Sequence, residues 1–320
     1  MTAPVAVTGA AGFVGQAVVG ALLASGRPVR ALVHRRDLDI SHARLETVRG
    51  GLDDAVALRR LMTGCAAVVH VAGVVRGRGP ADFEPVNADG AERVARIAAE
   101  VCAAPRVVLV SSLAARAPQL SPYAASKRAG EERLARRAAE GGLSCAVLRP
   151  PAIYGPGDQE LLPLLRLMAR GVTPLPGARG ARASLLHVDD LAAAIVATLD
   201  SGAEGTFELH DGRPGGYAWD EIAGIAESLA GRGRGWRVPI PAALLRAVAA
   251  VNLAAARVIG YRPMLSPGKV NELRHPDWVC DNTGITRATG WLPRRDLRAG
   301  LGPLLKGAPG ASDEGLTHVI

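Results

Sequence analysis

A short apolar run, Val5-Ala6-Val7, passes directly into Thr8-Gly9-Ala10-Ala11-Gly12-Phe13-Val14-Gly15. No other stretch restricts the fold so strongly. Three glycines spaced three apart let the backbone turn sharply out of a strand. They also admit a pyrophosphate against the main chain and let the next helix sit close to the sheet. The apolar spacing of Phe13, Val14, Ala17, Val18, Ala21 and Leu22 predicts a helix over 13–24, stopped by Ser25-Gly26. Its positive end, with unpaired N–H groups, would face the phosphates. A strand, a glycine turn and a helix in that order point to nucleotide binding.

Apolar strand runs are predicted near 5–8, 29–34, 46–49, 66–72, 106–111 and 143–149, with helices between them. That alternation predicts an α/β fold, a doubly wound parallel sheet of Rossmann type covered on both faces. With 320 residues, 48% of them hydrophobic, the chain can also bury a second core. We expect a dinucleotide-binding domain over 1–155 and a smaller C-terminal substrate lobe over 156–306. Residues 180–204, with a strand near 184–188 and a helix over 190–199, are expected to return to the main fold. The tail over 307–320 is expected to be loose.

Further on the chain reads Tyr123-Ala-Ala-Ser-Lys127. Residues four apart on a helix are neighbours, so an ammonium should stand beside a phenol. A nearby cation favours phenolate, which predicts a lowered tyrosine pKa suited to proton transfer. Chance pairs are rare in a chain whose only lysines are Lys127, Lys269 and Lys306, about 0.04 per sequence of this composition. Just upstream, Arg106-Val-Val-Leu-Val110 reads as a buried parallel strand ending in Ser111-Ser112. Ligands bind at the carboxyl ends of such strands, so a hydroxyl there would face the cofactor crevice.

These residues resemble the extended short-chain dehydrogenase/reductase family, of NAD(P)-dependent epimerase/dehydratase type. The likeness runs through the glycine turn, Asp53-Asp54, His70-Val-Ala72-Gly73, Asn87, Ser111-Ser112 and the Tyr/Lys pair. It continues through Arg149-Pro-Pro-Ala-Ile-Tyr-Gly-Pro-Gly157, His187-Val-Asp-Asp190 and Gly290-Trp-Leu-Pro293. The resemblance implies a pyrophosphate site at Thr8, Gly9, Gly12, Phe13, Val14 and Gly15. It places Leu52 and Asp53 at the adenine, Ala72 and Gly73 near the ribose, and Lys127 at the nicotinamide ribose. Pro150 and Ile153 would flank the nicotinamide. Tyr123 would be the acid/base, and Ser112, in preference to Ser111, would hold the reacting oxygen. Asn87 and His187 are candidates for substrate contact. Only ten residues separate Ser112 from Tyr123, a shorter loop than nucleotide-sugar epimerases of this family carry.

The second predicted strand ends in Arg35-Arg36, with no carboxylate to accept the ribose hydroxyls of NAD(H). Guanidinium groups suit a 2′-phosphate, which favours NADP(H), while Asp37 and Asp39 keep NAD(H) open. The formal charge of +8 comes from scattered arginines without a nucleic-acid motif, so no nucleic-acid partner is expected. Cys65, Cys102, Cys145 and Cys280 stand singly, and no metal site is expected. The first strand begins so early that no signal peptide is expected, which favours a cytoplasmic enzyme, monomeric or homodimeric.

The Ala/Leu/Val-rich stretch Pro239–Ile259 has three readings: a buried lobe helix, which we favour, a dimer face, or a helix lying on a membrane surface. Residues 261–269 read as a loop able to close over the pocket. Together these features predict an NADP(H)-dependent oxidoreductase interconverting a ketone and a secondary alcohol. Its substrate would be small but hydrophobic, steroid- or lipid-like, in the manner of bacterial ceramide reductases. Two alternatives stand beside it. One is a nucleotide-sugar epimerase or dehydratase, its diphosphate held by Arg179, Arg182 or Arg274. The other is a non-catalytic nucleotide-binding subunit.

Overall fold

The computed structural model describes residues 3–102, 105–178 and 180–306; Arg179 and the tail from Gly307 lie outside the described residues. The chain opens with β1 (Val5–Thr8), α1 (Phe13–Ala24), β2 (Val29–Val33), β3 (Leu45–Arg49), α2 (Ala55–Met62) and β4 (Ala67–His70). It continues with α3 (Pro80–Asn87), α4 (Asp89–Val101), β5 (Arg106–Val110), α5 (Pro122–Ala139) and β6 (Ser144–Arg149). Then come β7 (Ala152–Tyr154), α6 (Leu162–Ala169), β8 (Val172–Leu175), β9 (Arg182–Ala183), β10 (Leu185–His187), α7 (Val188–Ser201) and β11 (Gly205–Glu208). The last part holds β12 (Tyr217–Ala218), α8 (Trp219–Leu229), β13 (Trp236–Pro239), α9 (Ala242–Ile259), α10 (Pro267–Arg274), β14 (Asp277–Trp278), α11 (Thr283–Thr289) and α12 (Leu297–Lys306).

Seven strands form one parallel sheet in the order β11-β6-β5-β4-β1-β2-β3. Its inner strands are mostly apolar because both faces are covered, with polar residues at their ends and Arg30 within β2, which is why they read as hydrophobic runs. Val5, Val7, Val69, Val108 and Leu148 point into one cluster with Val18, Leu22, Leu191 and Ile195 of α1 and α7. Their alternates Ala6, Val68, Val107, Leu109 and Val147 enter the opposite cluster with Leu58, Leu61, Ile97 and Leu134. The strand order reverses between β1 and β4, and the crevice for a ligand opens at the carboxyl ends of those strands.

Two expectations are corrected here. The strand expected near 184–188 is β10, but it pairs in parallel with β7 rather than joining the main sheet. The strand that does join it is β11, on the outer side of β6, so the returning segment runs past 204 to Glu208. Helix α7 packs beside α1 and delivers the chain to the β6 edge. There the Arg106 guanidinium donates to the carbonyls of Thr198 (3.0 Å) and Ala203 (2.6 Å), stapling the turn. The second correction concerns α9. The buried-helix reading fails, because only Leu245, Ala249 and Ala256 of it are buried.

The remaining elements form a separate apolar cluster in which Tyr154, Leu165, Met168, Ile222, Leu297 and Leu301 meet. Residues 261–269 do not form a simple loop, since Ser266 caps α10 through the Lys269 N–H.

One buried ion pair fixes α5 to the sheet. Arg149, at the end of β6, donates to both oxygens of Glu131 on α5, at 2.9 and 2.5 Å, and the Ser111 hydroxyl donates to the same carboxylate at 2.5 Å. Removing one partner of a buried pair leaves the other charge uncompensated. Glu131→Ala is therefore expected to lower unfolding stability by about 3–5 kcal/mol, read from urea melts. Glu131→Leu combined with Arg149→Met should recover most of that loss. Equal stability of the single and double variants would count against the account.

Candidate active site

The glycine turn fits the sheet with no spare room. Gly9 has φ +71, and a Cβ there would stand 2.5 Å from the Ala72 nitrogen at the end of β4. A Cβ on Gly15 would lie 2.0 Å from the Gly9 carbonyl oxygen, so only glycine lets α1 approach the turn this closely. Helix α1 has no side-chain cap at Gly12 and no acidic residue in its first turn. Its leading N–H groups are thus left to an anion, and the residues present fit a dinucleotide pyrophosphate.

A cavity of about 2000 Å³ starts at this turn and crosses the carboxyl ends of β1, β2, β4, β5 and β6. Gly9, Gly12, Phe13, Val14, Gly15, Leu52, Asp53, Ala72 and Gly73 line it, as do Ser112, Tyr123, Lys127, Pro150 and Ile153. Arg35 and Arg36 also line it, exposed and without an ion pair among the described residues, whereas Asp37 pairs with Arg49. Nearly all the residues singled out from the sequence thus share one cavity.

Three do not reach it. Thr8 is fully buried and shares a 2.6 Å hydrogen bond with His70 Nδ1, so it braces β1 against β4 rather than touching a cofactor. Asn87 is buried too. Its side-chain oxygen accepts from the Val74 N–H (2.9 Å), and its amide donates to the Val74 carbonyl (3.0 Å) and to Ser126 (2.9 Å). It therefore shapes the backbone beside Gly73 and is not placed for substrate contact. His187 is buried as the cap of α7 and lies edge-on to the Tyr154 ring at 5.3 Å. In each case a polar residue at the end of a strand or helix is consumed by backbone and neighbours.

Helix α5 carries the reactive pair. Ser121 caps it by accepting from the Ala124 N–H, and Pro122 begins its first turn. A Cβ on Gly130 would come within 2.3 Å of the Asn87 carbonyl, so α5 rests directly on the end of α3. This contact presses Lys127 toward Gly73. The Lys127 ammonium donates to the Val110 carbonyl at 2.9 Å, and burial pushes its pKa down to about 8 against a smaller opposing pull from Glu131. Tyr123 is part-buried, edge-on to Phe83 at 6.0 Å.

The protein packed around the phenol raises its pKa to about 12. Ser112 pulls the other way, and the Glu272 carboxylate adds to the rise. The expected lowering by Lys127 is thus overturned: desolvation sets the direction, the lowering comes from Ser112, and the amine is turned to a backbone carbonyl. Of the serine pair, Ser111 is occupied by Glu131, whereas Ser112 lines the cavity and accepts from the Ala114 N–H at 3.2 Å.

Two residues at the site carry no local sequence signal. Phe83 props the phenol from α3. Glu272 lies far along the chain on α10, where it accepts from the Ser121 hydroxyl and from Lys269 (2.9 Å). It thereby joins the lobe to the cap of the tyrosine helix.

Comparison with known proteins agrees with this geometry. Residues 5–209 match the model of the NAD dependent epimerase/dehydratase family. The chain belongs to that family. It is 40% identical over 318 residues to the ceramide reductase of Caulobacter vibrioides, covering 91% of this chain and 96% of that protein. It is 31% identical over 314 residues to a 3-diazoavenalumate denitrifying reductase from Streptomyces, covering 86% and 97%. Among solved structures, MoeE5 in complex with UDP-glucose and NAD superposes with a TM-score of 0.73 at 23% identity, over 95% of this chain and 97% of that one. The fold is common to them, and the chain is an NAD(P)-dependent oxidoreductase.

The pKa values set a pH dependence. Lys127 is a cation below about 8 and loses its charge as pH rises through that value, while Tyr123 keeps its proton up to about 12. The rate of NAD(P)H-dependent reduction should therefore fall above pH 8, with no second decline until far higher pH. Glu131→Gln should move that decline to lower pH, because the carboxylate raises the lysine pKa. A decline that stays in place in the variant would rule out the assignment.

Proposed function

We propose that this chain is an NADP(H)-dependent reductase converting a ketone on a long-chain lipid of ceramide type to a secondary alcohol. One observation carries the reading. The cavity that begins at the glycine turn runs past Ser112 and Tyr123 to the apolar side chains Leu253, Pro263 and Met264. Its volume of about 2000 Å³ is twice the roughly 1,000 Å³ that bounds ordinary small-molecule pockets. That leaves room for a dinucleotide and a large apolar substrate together. The near full-length similarity to a ceramide reductase supports the same substrate class.

Two of the three basic groups considered for a sugar diphosphate are engaged elsewhere, and the third, Arg179, lies outside the described residues. Arg182 donates to the carbonyls of Gly215 (2.6 Å) and Gly216 (2.8 Å) and pairs with Glu221. Arg274 donates to the Pro176 carbonyl at 3.1 Å. This speaks for the ketone over a nucleotide sugar.

A nicotinamide held beside Pro150 and Ile153 would supply the hydride that the carbonyl carbon takes up. Ser112 donates a hydrogen bond to the carbonyl oxygen as negative charge builds there, a role worth about 3 kcal/mol for a single preorganised donor. The Tyr123 phenol, protonated throughout the neutral range, passes its proton to that oxygen. Lys127, one helical turn away, offsets the phenolate that remains. Arg35 and Arg36 would hold the 2′-phosphate, and Asp53 the adenine side.

The test is NADPH consumption with oxidised ceramide, set against UDP-glucose as a control. Tyr123→Phe should cut kcat by about 10²–10⁴-fold while NADPH still binds. Unchanged turnover would sink the mechanism. Arg35→Ser with Arg36→Ser should raise KM for NADPH about tenfold or more and leave that for NADH unchanged. An equal effect on both cofactors would remove the 2′-phosphate assignment.

A further inference from the structure

We propose that α9 is an interfacial helix that lays the mouth of the cavity against an anionic lipid bilayer. The helix is held to the protein along one narrow stripe, where Leu245 and Ala249 meet Val270 of α10. The opposite side presents Leu244, Val248, Val251, Val258 and Ile259 to solvent, with Val251 71% and Val258 87% exposed. Positions 244, 248, 251, 255, 258 and 259 recur at helical spacing, so these side chains form one continuous face. A soluble protein rarely leaves such a face bare without a partner for it. Just before the helix, Trp236 is 79% exposed, an aromatic of the kind that seats at a headgroup boundary.

Charge selects the partner. Between residues 232 and 274 the chain carries eight Arg and Lys residues. Arg234, Arg237, Arg262 and Lys269 are paired with Asp220, Glu227, Asp82 and Glu272, whereas Arg232, Arg246 and Arg257 have no ion pair among the described residues. Arg246 and Arg257 lie on the polar side of α9, turned away from the apolar face and exposed. A second copy of this chain docked on the same face would bring Arg246 and Arg257 near their counterparts, and α9 itself carries no acid to meet them. An anionic lipid surface takes up the apolar stripe and attracts the cations.

Position gives the contact its use. Leu253 of α9, with Pro263 and Met264 just after it, lines the cavity. A helix resting in the headgroup layer would therefore set the apolar end of the cavity at the place from which a lipid must leave the bilayer. The stripe against α10 keeps α9 alongside the protein, so it lies on the membrane and does not cross it. The route adds to the lipid-ketone reading, but the contact is measured without substrate or cofactor.

The full chain is mixed with vesicles of equal parts phosphatidylglycerol and phosphatidylcholine, or of phosphatidylcholine alone, and sedimented. We expect it to pellet with the anionic vesicles and to be largely released by high salt. Val251→Asp with Val258→Asp should weaken partitioning by more than about tenfold, while turnover of a detergent-dispersed ketone is unchanged. Arg246→Gln and Arg257→Gln should each weaken it about fivefold. The proposal fails if the wild-type chain stays in the supernatant or if the aspartate variant binds as well. It also fails if light scattering shows a dimer that those aspartates dissociate, because the face then belongs to a second copy. Vesicle binding without activity on any lipid ketone would overturn the substrate reading and leave this one standing.

Discussion

A single buried carboxylate organises the reactive half of this molecule. Glu131 sits one turn beyond Lys127 on α5 and receives Arg149 from β6 and Ser111 from β5. A charge in that position would be costly alone. Bonded on three counts, it becomes a rigid joint between a helix and two strand ends. Three consequences follow from the one joint. The Ser111 hydroxyl is committed to the carboxylate, which leaves the Ser112 hydroxyl to serve the cavity. The helix bearing Tyr123 is fixed relative to the sheet. Lys127 keeps more of its charge than burial alone would allow.

Burial, more than pairing, sets the protonation states here. The sequence places an amine one turn from a phenol, and simple Coulomb reasoning then makes the phenol acidic. The folded chain surrounds both with protein, which disfavours either charge, and the two pKa values move apart, to about 12 and about 8. Glu272 adds to this from the lobe. Because it also accepts from Ser121, the cap of α5, the lobe bears on the phenol both mechanically and electrostatically.

The central sheet was legible for a physical reason. Strands β1, β2, β4, β5 and β6 are covered on both faces, so their residues are mainly apolar, with Arg30 the one interior interruption, and their ends fall within two residues or so of where the pattern puts them. Strand β11, Gly-Thr-Phe-Glu, is an edge with one buried residue, and nothing in four such letters marks it as part of a sheet. Helix α9 shows the opposite failure. Its composition suits a buried helix, the reading favoured from sequence, but also a dimer face or a membrane surface, and only the fold decides which side is covered. The site was legible where chemistry demands a residue type, as at Gly9, Gly15, Tyr123 and Lys127. It misled at Thr8, Asn87 and His187, where a polar side chain beside the cavity is taken up by a neighbouring side chain or by the backbone. Glu272 and Phe83 could not be found at all, since their importance rests on tertiary proximity to Tyr123.

The phenol's pKa also bears on the direction in which the site works well. At about 12, the phenolate is present in about one molecule in 10⁵ at pH 7. A reaction that began with phenolate as base would find almost no enzyme in the right state. One that begins with the phenol as acid finds nearly all of it. Hydride addition to a ketone creates an alkoxide, a stronger base than even this phenolate, so proton transfer from Tyr123 remains downhill. The same packing that defeats the simple expectation of an acidic tyrosine thus favours reduction over oxidation. It leaves Lys127 near 8 as the group whose ionisation limits the range in which the charge left on Tyr123 can be offset.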